Sequence, residues 1–334
     1  MIEQYPTIVR LSLGKIDADL AANIDILCND CGGTVFHEVA LNRMASAAFG
    51  SDLSYYLAYQ DAELVGCCPC HSFREGWITR SYSNLSANEM PYGGWVFDEN
   101  AVSLEGLLAK TRTHALESLS IVSNIALQQA VKTAWEKLGA KSHETVLVGL
   151  EGQTEEEIFN SLKHSQKQKI RRALKLGLEA VSLDPGDFGV FTALGTDLKR
   201  KAGLKIRDEA FYKGVFSHYH ALGRAVCTAV RYQGEYISTG IALANSNYAI
   251  GWAAGRKIGI PNNLYQNELL IWDQIRWAKN LGCAYLDLGA IHPDRLPHLL
   301  RMKLSFSRET KKFYSYSIRK LPFRLAHFAR RLCK

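Results

Sequence analysis

Near the C-terminal end an apolar run closes on a carboxylate, Ala284-Tyr285-Leu286-Asp287-Leu288-Gly289, and a lysine follows in Met302-Lys303-Leu304-Ser305-Phe306. A carboxylate at a strand end can accept a proton or orient an amine, and an ammonium just beyond it can meet oxyanion or phosphate charge in a partly dry site. Tyr265 and Asn267, where a helical stretch begins, can present a hydroxyl and an amide to a bound donor. These are the parts that moving an acyl group onto an amine requires: an oxyanion partner, a route for the amine's proton and a held donor. Each also has a plainer reading. Asp287 can cap the next helix, Lys303 can snorkel from a helix surface, and Tyr265 can pack in a core. No nucleophile and base stand out as a pair, so direct attack by the amine is expected rather than a covalent enzyme intermediate.

The elements that must hold these residues can be read from periodicity and turn residues. In the second half, Thr154 with Glu157 forms a capping box that opens a helix over 154–176, followed by helices over 186–201 and 208–221. Residues 225–255 read as three antiparallel strands with turns at Gln233-Gly234 and Asn245-Ser246-Asn247. A helix from Leu264 to Leu281, the strand ending at Gly289, a last helix and the strand Phe313–Ile318 complete this half. In the first half, helices over 17–27 and 39–49 precede a hairpin around Gln60-Asp61-Ala62. A loop punctuated by Pro91, Gly93 and Gly94 comes next, then a helix over 103–116, a strand over 119–124, a helix over 126–138 and a strand over 145–150. The order of helices, a hairpin or meander, a helix and a further strand recurs once per half, which predicts two copies of one fold.

With 334 residues the chain exceeds the usual single core, so two domains are expected, over 1–150 and 151–312. A composition of 47% hydrophobic and 22% charged residues belongs to an ordinary globular protein and excludes fibrous or low-complexity classes. The N-terminus lacks the basic flank and apolar run of a secretory signal, and no apolar stretch is long enough to span a bilayer, so a cytoplasmic location is expected. The eight cysteines do not read as a disulfide framework. Cys28-x-x-Cys31 and Cys67-Cys68-Pro69-Cys70 imitate paired zinc knuckles, but the second pair falls in a strand that contains proline; the preferred reading is buried small side chains and no metal.

The net charge of +7 is local. Residues 163–175 carry six Lys/Arg and residues 310–334 carry eight, with no acid in either stretch; without those fourteen, 26 basic side chains face 33 acidic ones. Two basic patches suit phosphates, RNA or a membrane surface, and a solvated helix face is the plain alternative. Lys163, Lys167, Arg171 and Lys175 recur every four residues on one helix side, with Leu162, Ile170 and Leu174 marking a side that can pack. In the tail, Leu321, Leu325, Phe328 and Leu332 lie on one side of a helix and Arg324, His327 and Arg331 on another. Docking of that apolar side on the first domain is the favoured reading, and contact with an anionic inner membrane face is the alternative.

From Ala225 onward the run of meander, long helix, Asp287-Leu288-Gly289 and Met302-Lys303-Leu304-Ser305-Phe306 resembles the C-terminal domain of the Fem-like aminoacyltransferases and their acetyltransferase-fold relatives, with Met302 in place of the usual Phe. In the first half, Pro69 within its strand and Pro91-Tyr92-Gly93-Gly94 resemble family features, and the basic helix resembles the start of the family's second domain. The matches span about Phe36 to Tyr316. The resemblance implies a mixed α/β fold of two tandem acyl-CoA N-acyltransferase (GNAT)-like domains, each a mostly antiparallel mixed sheet flanked by helices, with residues 313–334 returning to the first domain. It also implies transfer of an acyl or aminoacyl group onto an amine of a cell-envelope precursor, glycan or lipid-linked acceptor. Lys303, Asp287 and Tyr265 would be catalytic, and Arg256, Gly259, Asn263, Asn267, Lys167, Arg171 and Trp252 would bind donor or substrate. No cofactor would be tightly bound; the donor would be aminoacyl-tRNA or acyl-CoA.

Acyl-CoA users of this fold cradle pyrophosphate on a glycine-rich loop entering a helix. Here Arg256-Lys257-Ile258-Gly259-Ile260-Pro261 keeps that spacing until Pro261, which has no N–H to donate. This favours aminoacyl-tRNA, with an acyl-CoA-dependent enzyme of polysaccharide or lipid modification as the rival and a plain turn as the structural alternative. A rival of another class is a catalytically silent duplicate that binds RNA or scaffolds through its basic patches.

Overall fold

The computed structural model describes residues 6–85, 89–125, 129–201, 209–291 and 297–332. The chain opens with β1 (Thr7–Ser12), α1 (Ala18–Asp30), α2 (Val39–Phe49), β2 (Asp52–Gln60), β3 (Glu63–Glu75), β4 (Ile78–Tyr82) and the short β5 (Val96–Phe97). Next come α3 (Leu104–Lys110), β6 (Glu117–Val122), α4 (Gln129–Lys137) and β7 (Lys141–Gly149). They are followed by α5 (Glu155–Ser161), α6 (His164–Lys175), β8 (Glu179–Leu183), α7 (Phe188–Lys201) and α8 (Glu209–Ala221). After β9 (Ala225–Tyr232), β10 (Glu235–Ala244) and β11 (Tyr248–Arg256) come α9 (Gln266–Asn280), β12 (Tyr285–Ala290), α10 (Pro297–Phe306), β13 (Thr310–Arg319) and α11 (Leu321–Leu332).

Two compact units result, one from the residues up to Glu144 with those from Lys311 onward, the other Thr145–Thr310. In the first, the strand order is β1-β2-β3-β4-β6-β13, antiparallel throughout except for the parallel pair β4 and β6. In the second, the order β8-β9-β10-β11-β12-β7 has the same plan, with β11 and β12 parallel. Each unit therefore has an edge strand, a three-strand meander, a parallel neighbour and an antiparallel closing strand.

Local chemistry sets the element ends. Asp17 caps α1 by accepting from the Leu20 N–H, and Thr154 with Glu157 forms a reciprocal capping box on α5. The β2–β3 turn holds Asp61 and Ala62 at φ of 49° and 69°. Alternation on β2 and β3 feeds two first-unit cores, one around Tyr56, Trp95, Leu107 and Trp135, the other around Ile24, Tyr55, Leu57 and Val96. The second unit buries Leu150, Ile170, Leu270, Ile275, Leu286 and Phe306 together.

Several expectations need correction. The helix expected over 154–176 breaks at Leu162 and Lys163, because Leu162 takes an extended backbone (ψ 149°) and turns its side chain into the core at 3% exposure. The buried side of α6 is Gln166, Ile170 and Ala173, so Leu174 faces solvent at 54% exposure instead of packing. The helix expected over 103–116 ends at Lys110, where the Thr111 hydroxyl turns back onto the Leu107 carbonyl. β1, β4 and β8 had no counterpart in the reading of the sequence. The expected first turn of α4, over 126–128, and residue 208 ahead of α8 lie outside the described residues.

The tail also differs. Among the described side chains of α11, Phe323, at 4% exposure, is the one buried on the first unit, while Leu321, Leu325 and Phe328 are 65%, 61% and 63% exposed. The close turn from β13, with the Lys320 ammonium donating to the Thr113 carbonyl at 2.5 Å, sets the helix phase that turns Phe323 inward. The side chains of Arg331 and Leu332 lie outside the described residues.

Candidate active site

Asp287 lies on β12 at its last register pair with β11, opposite Ile250, and is fully buried. Its carboxylate accepts from the Thr145 hydroxyl, from the Tyr248 hydroxyl and, at 2.7 Å, from the N–H of Gly289. Thr145 reaches it from β7 and Tyr248 from the first residue of β11, so three strands converge on one carboxylate. Three donors let an anion sit in the protein interior, where an unpartnered charge is costly.

Two residues later β12 turns at Gly289 (φ +84°), and Lys303 comes up beneath it from α10. The Lys303 ammonium donates to the carbonyls of Gly289 and Ala290, each at 2.9 Å, and is 8% exposed. Burial lowers its pKa to about 8, against the opposing pull of Asp287. A Cβ at position 289 would come within 3.3 Å of Nζ, so glycine there gives both the left-handed turn and room for the ammonium.

Past Ile250 and Asp287 the two parallel strands part. They share three register pairs, Tyr248 with Tyr285, Ala249 with Leu286 and Ile250 with Asp287, while β11 runs on to Arg256. A bulge against β10 leaves Trp252 between the pairs Ala253–Ile241 and Gly251–Ala242 and bends β11 where the parting begins. The β12-facing edge of β11 from Gly251 onward is thus left out of the ladder, with its amides oriented as a strand's are, beside a buried carboxylate and a tyrosine hydroxyl. An edge of this kind can pair with an extended ligand or hold a carbonyl.

The corresponding place in the first unit is filled by its own chain. At the ends of β4 and β6 the Ser83 hydroxyl accepts from the Val122 N–H. A Cβ on Gly93 would stand 2.1 Å from the Ser83 carbonyl oxygen, and one on Gly94 would stand 2.9 Å from that of Val122. The Pro91–Gly94 loop lies against both strand ends, and only glycine permits that approach.

Residues 161–294 match the family model of an acetyltransferase (GNAT) domain. The second unit carries a GNAT acyltransferase domain. Solved structures agree on the fold. FemX superposes with a TM-score of 0.69 at 14% identity, covering 88% of this chain and 95% of that one. A tandem GNAT protein from the clavulanic acid biosynthesis pathway gives 0.54 at 10% identity, covering 93% and 98%. The C-terminal domain of a putative lysylphosphatidylglycerol synthetase from Agrobacterium fabrum gives 0.52 at 11%, covering 92% and 96%. No curated protein sequence matches the chain.

Within the second unit the expected site residues fall into separate groups. Asp287 and Lys303 come together at the end of β12. Arg256 ends β11, Gly259 (φ +85°) makes the following turn, and Asn263 lies in a short 3-10 turn before α9. Tyr265 caps α9 in the left-handed region at φ +59°, a costly conformation for a side chain of its size. Its ring lies under Lys169 Nζ and the Arg172 guanidinium, each 5.8 Å from the centroid, and Lys169 also pairs with Glu268 at 3.1 Å. Asn267 accepts from the Ser238 hydroxyl at 3.3 Å. Trp252 is a buried packing residue, in ring contact with Phe211 and Tyr212.

On α5 and α6, Lys167 donates to the Asn160 carbonyl at 3.0 Å and Arg171 lies 5.3 Å over the Phe159 ring. Arg171 lines a groove of about 470 Å³ with Glu155, Glu156, Phe159 and Trp272, a setting of mixed charge. Lys163, Arg171, Arg172 and Lys175 remain exposed. The cysteine pairs lie in the first unit: Cys28 and Cys67 bury their sulfurs 3.6 Å apart, and the hydrogen bond between them, together with burial, pushes the Cys28 thiol pKa well up.

Tyr248, Thr145 and the Gly289 N–H escaped the reading of the sequence. Tyr248 had one visible signal, its place just after the Asn245-Ser246-Asn247 turn. Nothing local tells which later strand β11 will meet.

Proposed function

We propose that this chain transfers an acyl or aminoacyl group onto an amine of a cell-envelope precursor, glycan or lipid-linked acceptor, and that the chemistry occurs in the second unit where β11 and β12 part. The observation that carries the reading is an open strand edge beside a carboxylate that already holds a tyrosine hydroxyl. The donor's carbonyl would lie along β11, where backbone N–H groups can receive the oxyanion. The amine attacks this carbonyl, a C–N bond forms, and the ester C–O or thioester C–S bond breaks. The amine's proton passes to the Tyr248 oxygen as Tyr248 gives its own to Asp287, and the departing oxygen or sulfur is protonated in turn. Tyr265 and Asn267 would touch the donor from the start of α9. Lys303 acts as a positioning residue, holding the turn at Gly289–Ala290. The first unit, its matching position filled by Pro91–Gly94, would serve as a non-catalytic partner.

The acceptor class is supported by the resemblance of the sequence to Fem-like aminoacyltransferases and by a structural relative whose name refers to lysylphosphatidylglycerol synthesis. For the donor, Pro261 removes an amide from the turn that would cradle a pyrophosphate, and the exposed cations of α6 suit a tRNA backbone. Aminoacyl-tRNA is therefore the first choice. Acyl-CoA is the second, favoured by Arg256 and Gly259 at the end of β11. Thermal shift separates them, because a true donor stabilises the fold by mass action. Stabilisation by aminoacyl-tRNA that salt abolishes supports the first, stabilisation by CoA thioesters alone supports the second, and a shift with neither removes the transferase reading. Binding of RNA with no acyl transfer would assign the silent-duplicate reading instead.

A further inference from the structure

We propose that the outward side of α11 seats this protein on an anionic lipid surface. This inference stands independently of the transferase reading. The helix already has one side engaged: Phe323 is buried, its ring stacks on His327 at 5.8 Å, and Arg80 of β4 donates to His327 at 3.4 Å. On the other side, Leu321, Leu325 and Phe328 follow at intervals of four and three, which places them on a single stripe. All three are more than 60% exposed. A single exposed leucine is ordinary, but three large apolar side chains in one stripe on a short helix are not.

Charge selects the occupant. From Arg319 to Lys334 the sequence has six Lys/Arg and no Asp or Glu. A second copy meeting this face would bring the same cations against themselves. An anionic lipid surface instead satisfies both features, the stripe entering the acyl boundary while Arg319 and Arg324 meet headgroup phosphates. The helix has 12 residues, too few to cross a bilayer, and no helix among the described residues is long and apolar enough to do so. It would lie in the plane of the surface, combining an apolar and a basic signal as stable peripheral attachment requires.

The test is sedimentation of the full chain with vesicles of phosphatidylcholine containing phosphatidylglycerol, and with phosphatidylcholine alone. The wild type is expected to bind the anionic vesicles and to be released by salt. The double variant Leu325→Asp/Phe328→Asp and, separately, Arg319→Gln/Arg324→Gln should each bind at least about tenfold more weakly, since each of the two charges altered near such a surface contributes about fivefold. Both alter exposed positions, and an unchanged melting temperature will show that the fold is intact. Leu174→Asp, an exposed apolar site on another helix, should bind as the wild type does. Equal binding to neutral vesicles, or equal binding by the wild type and the Leu325→Asp/Phe328→Asp variant, overturns the proposal. So does failure of the wild type to bind; a dimer in solution that Leu325→Asp/Phe328→Asp dissociates would then assign the face to a second copy.

Discussion

Tyr248 and Asp287 sit on adjacent parallel strands at the last stretch where those strands stay paired, and the Tyr248 hydroxyl donates to the Asp287 carboxylate. A hydroxyl so held can take a proton on its oxygen while passing its own to the carboxylate, without either group moving. Thr145 and the Gly289 N–H keep the carboxylate fixed. The proposed proton route is therefore part of the scaffold, and it lies where the sheet opens.

Tyr248→Phe should keep the fold and lose the route. Transfer should slow by about a hundredfold, the low end of what a positioned acid or base contributes, with the KM for donor nearly unchanged. Steady-state kinetics on both substrates, with circular dichroism for the fold, check this. A raised KM with unchanged kcat would make Tyr248 a binding residue only.

Lys303→Met removes the donor that two backbone carbonyls share and should cost about 2 kcal/mol in urea unfolding. It should also change the dependence on pH. The wild-type ammonium is held at about 8, below its ordinary 10.5, so between those values the unfolded chain binds a proton that the folded chain has released. Wild-type stability should rise as pH climbs through that window, since the burden of burying the ammonium is relieved. The Met variant should lack this rise; the same rise in both would mean Lys303 is not its source.

Gly289→Ala places a side chain in the left-handed turn and against the Lys303 ammonium. A loss of about 1–2 kcal/mol is expected from the backbone conformation alone, with reduced activity as the turn shifts. Unfolding and initial-rate measurements on the same preparation report the two effects separately.

His37 and His71 make the first unit acid-sensitive. Each is buried and neutral, His37 between the Thr34 N–H and the Gly93 carbonyl and His71 between Ser51 and Asn42. Burial lowers them to about 4 and about 3 from 6.5. From 6.5 down to those values the unfolded chain binds more protons, so stability falls with falling pH by roughly 1.4 kcal/mol per pH unit for each histidine. Urea midpoints between pH 7 and 4 should show this slope, and His71→Gln should lessen it by one proton's worth. An unaltered slope in that variant would exclude His71 as a contributor.

What was legible in the sequence follows from range. Asp287 stood out because an apolar strand closes on it, and Lys303 because a short motif surrounds it. Both signals are local. That Tyr248 and Thr145 would meet Asp287 was not legible, because Thr145 reaches it across 142 residues and the register of a parallel pair is written in no nearby residue. The basic helix and the tail failed in a different way. Each pattern offered more than one apolar side, and the choice fell to an extended residue at Leu162 and to the burial of Phe323. β8 escaped notice because it is a half-exposed edge with the pattern of a loop. The meander and its turns at Gln233-Gly234 and Asn245-Ser246-Asn247 were read correctly, since Gly234 and the Asn-Ser-Asn turn mark ends that alternation alone leaves open.

Acyl transfer is proposed to run past Asp287 where β11 and β12 part. The most direct measurement follows a labelled acyl group from aminoacyl-tRNA, and from an acyl-CoA, onto an amine acceptor in a single turnover, with the wild type and with Asp287→Asn. Label should reach the amine with the wild type from one donor, and Asp287→Asn, folded by its melting curve, should transfer it at least about a hundredfold more slowly. Transfer at the wild-type rate by folded Asp287→Asn, or no transfer from either donor by the wild type, would contradict the account.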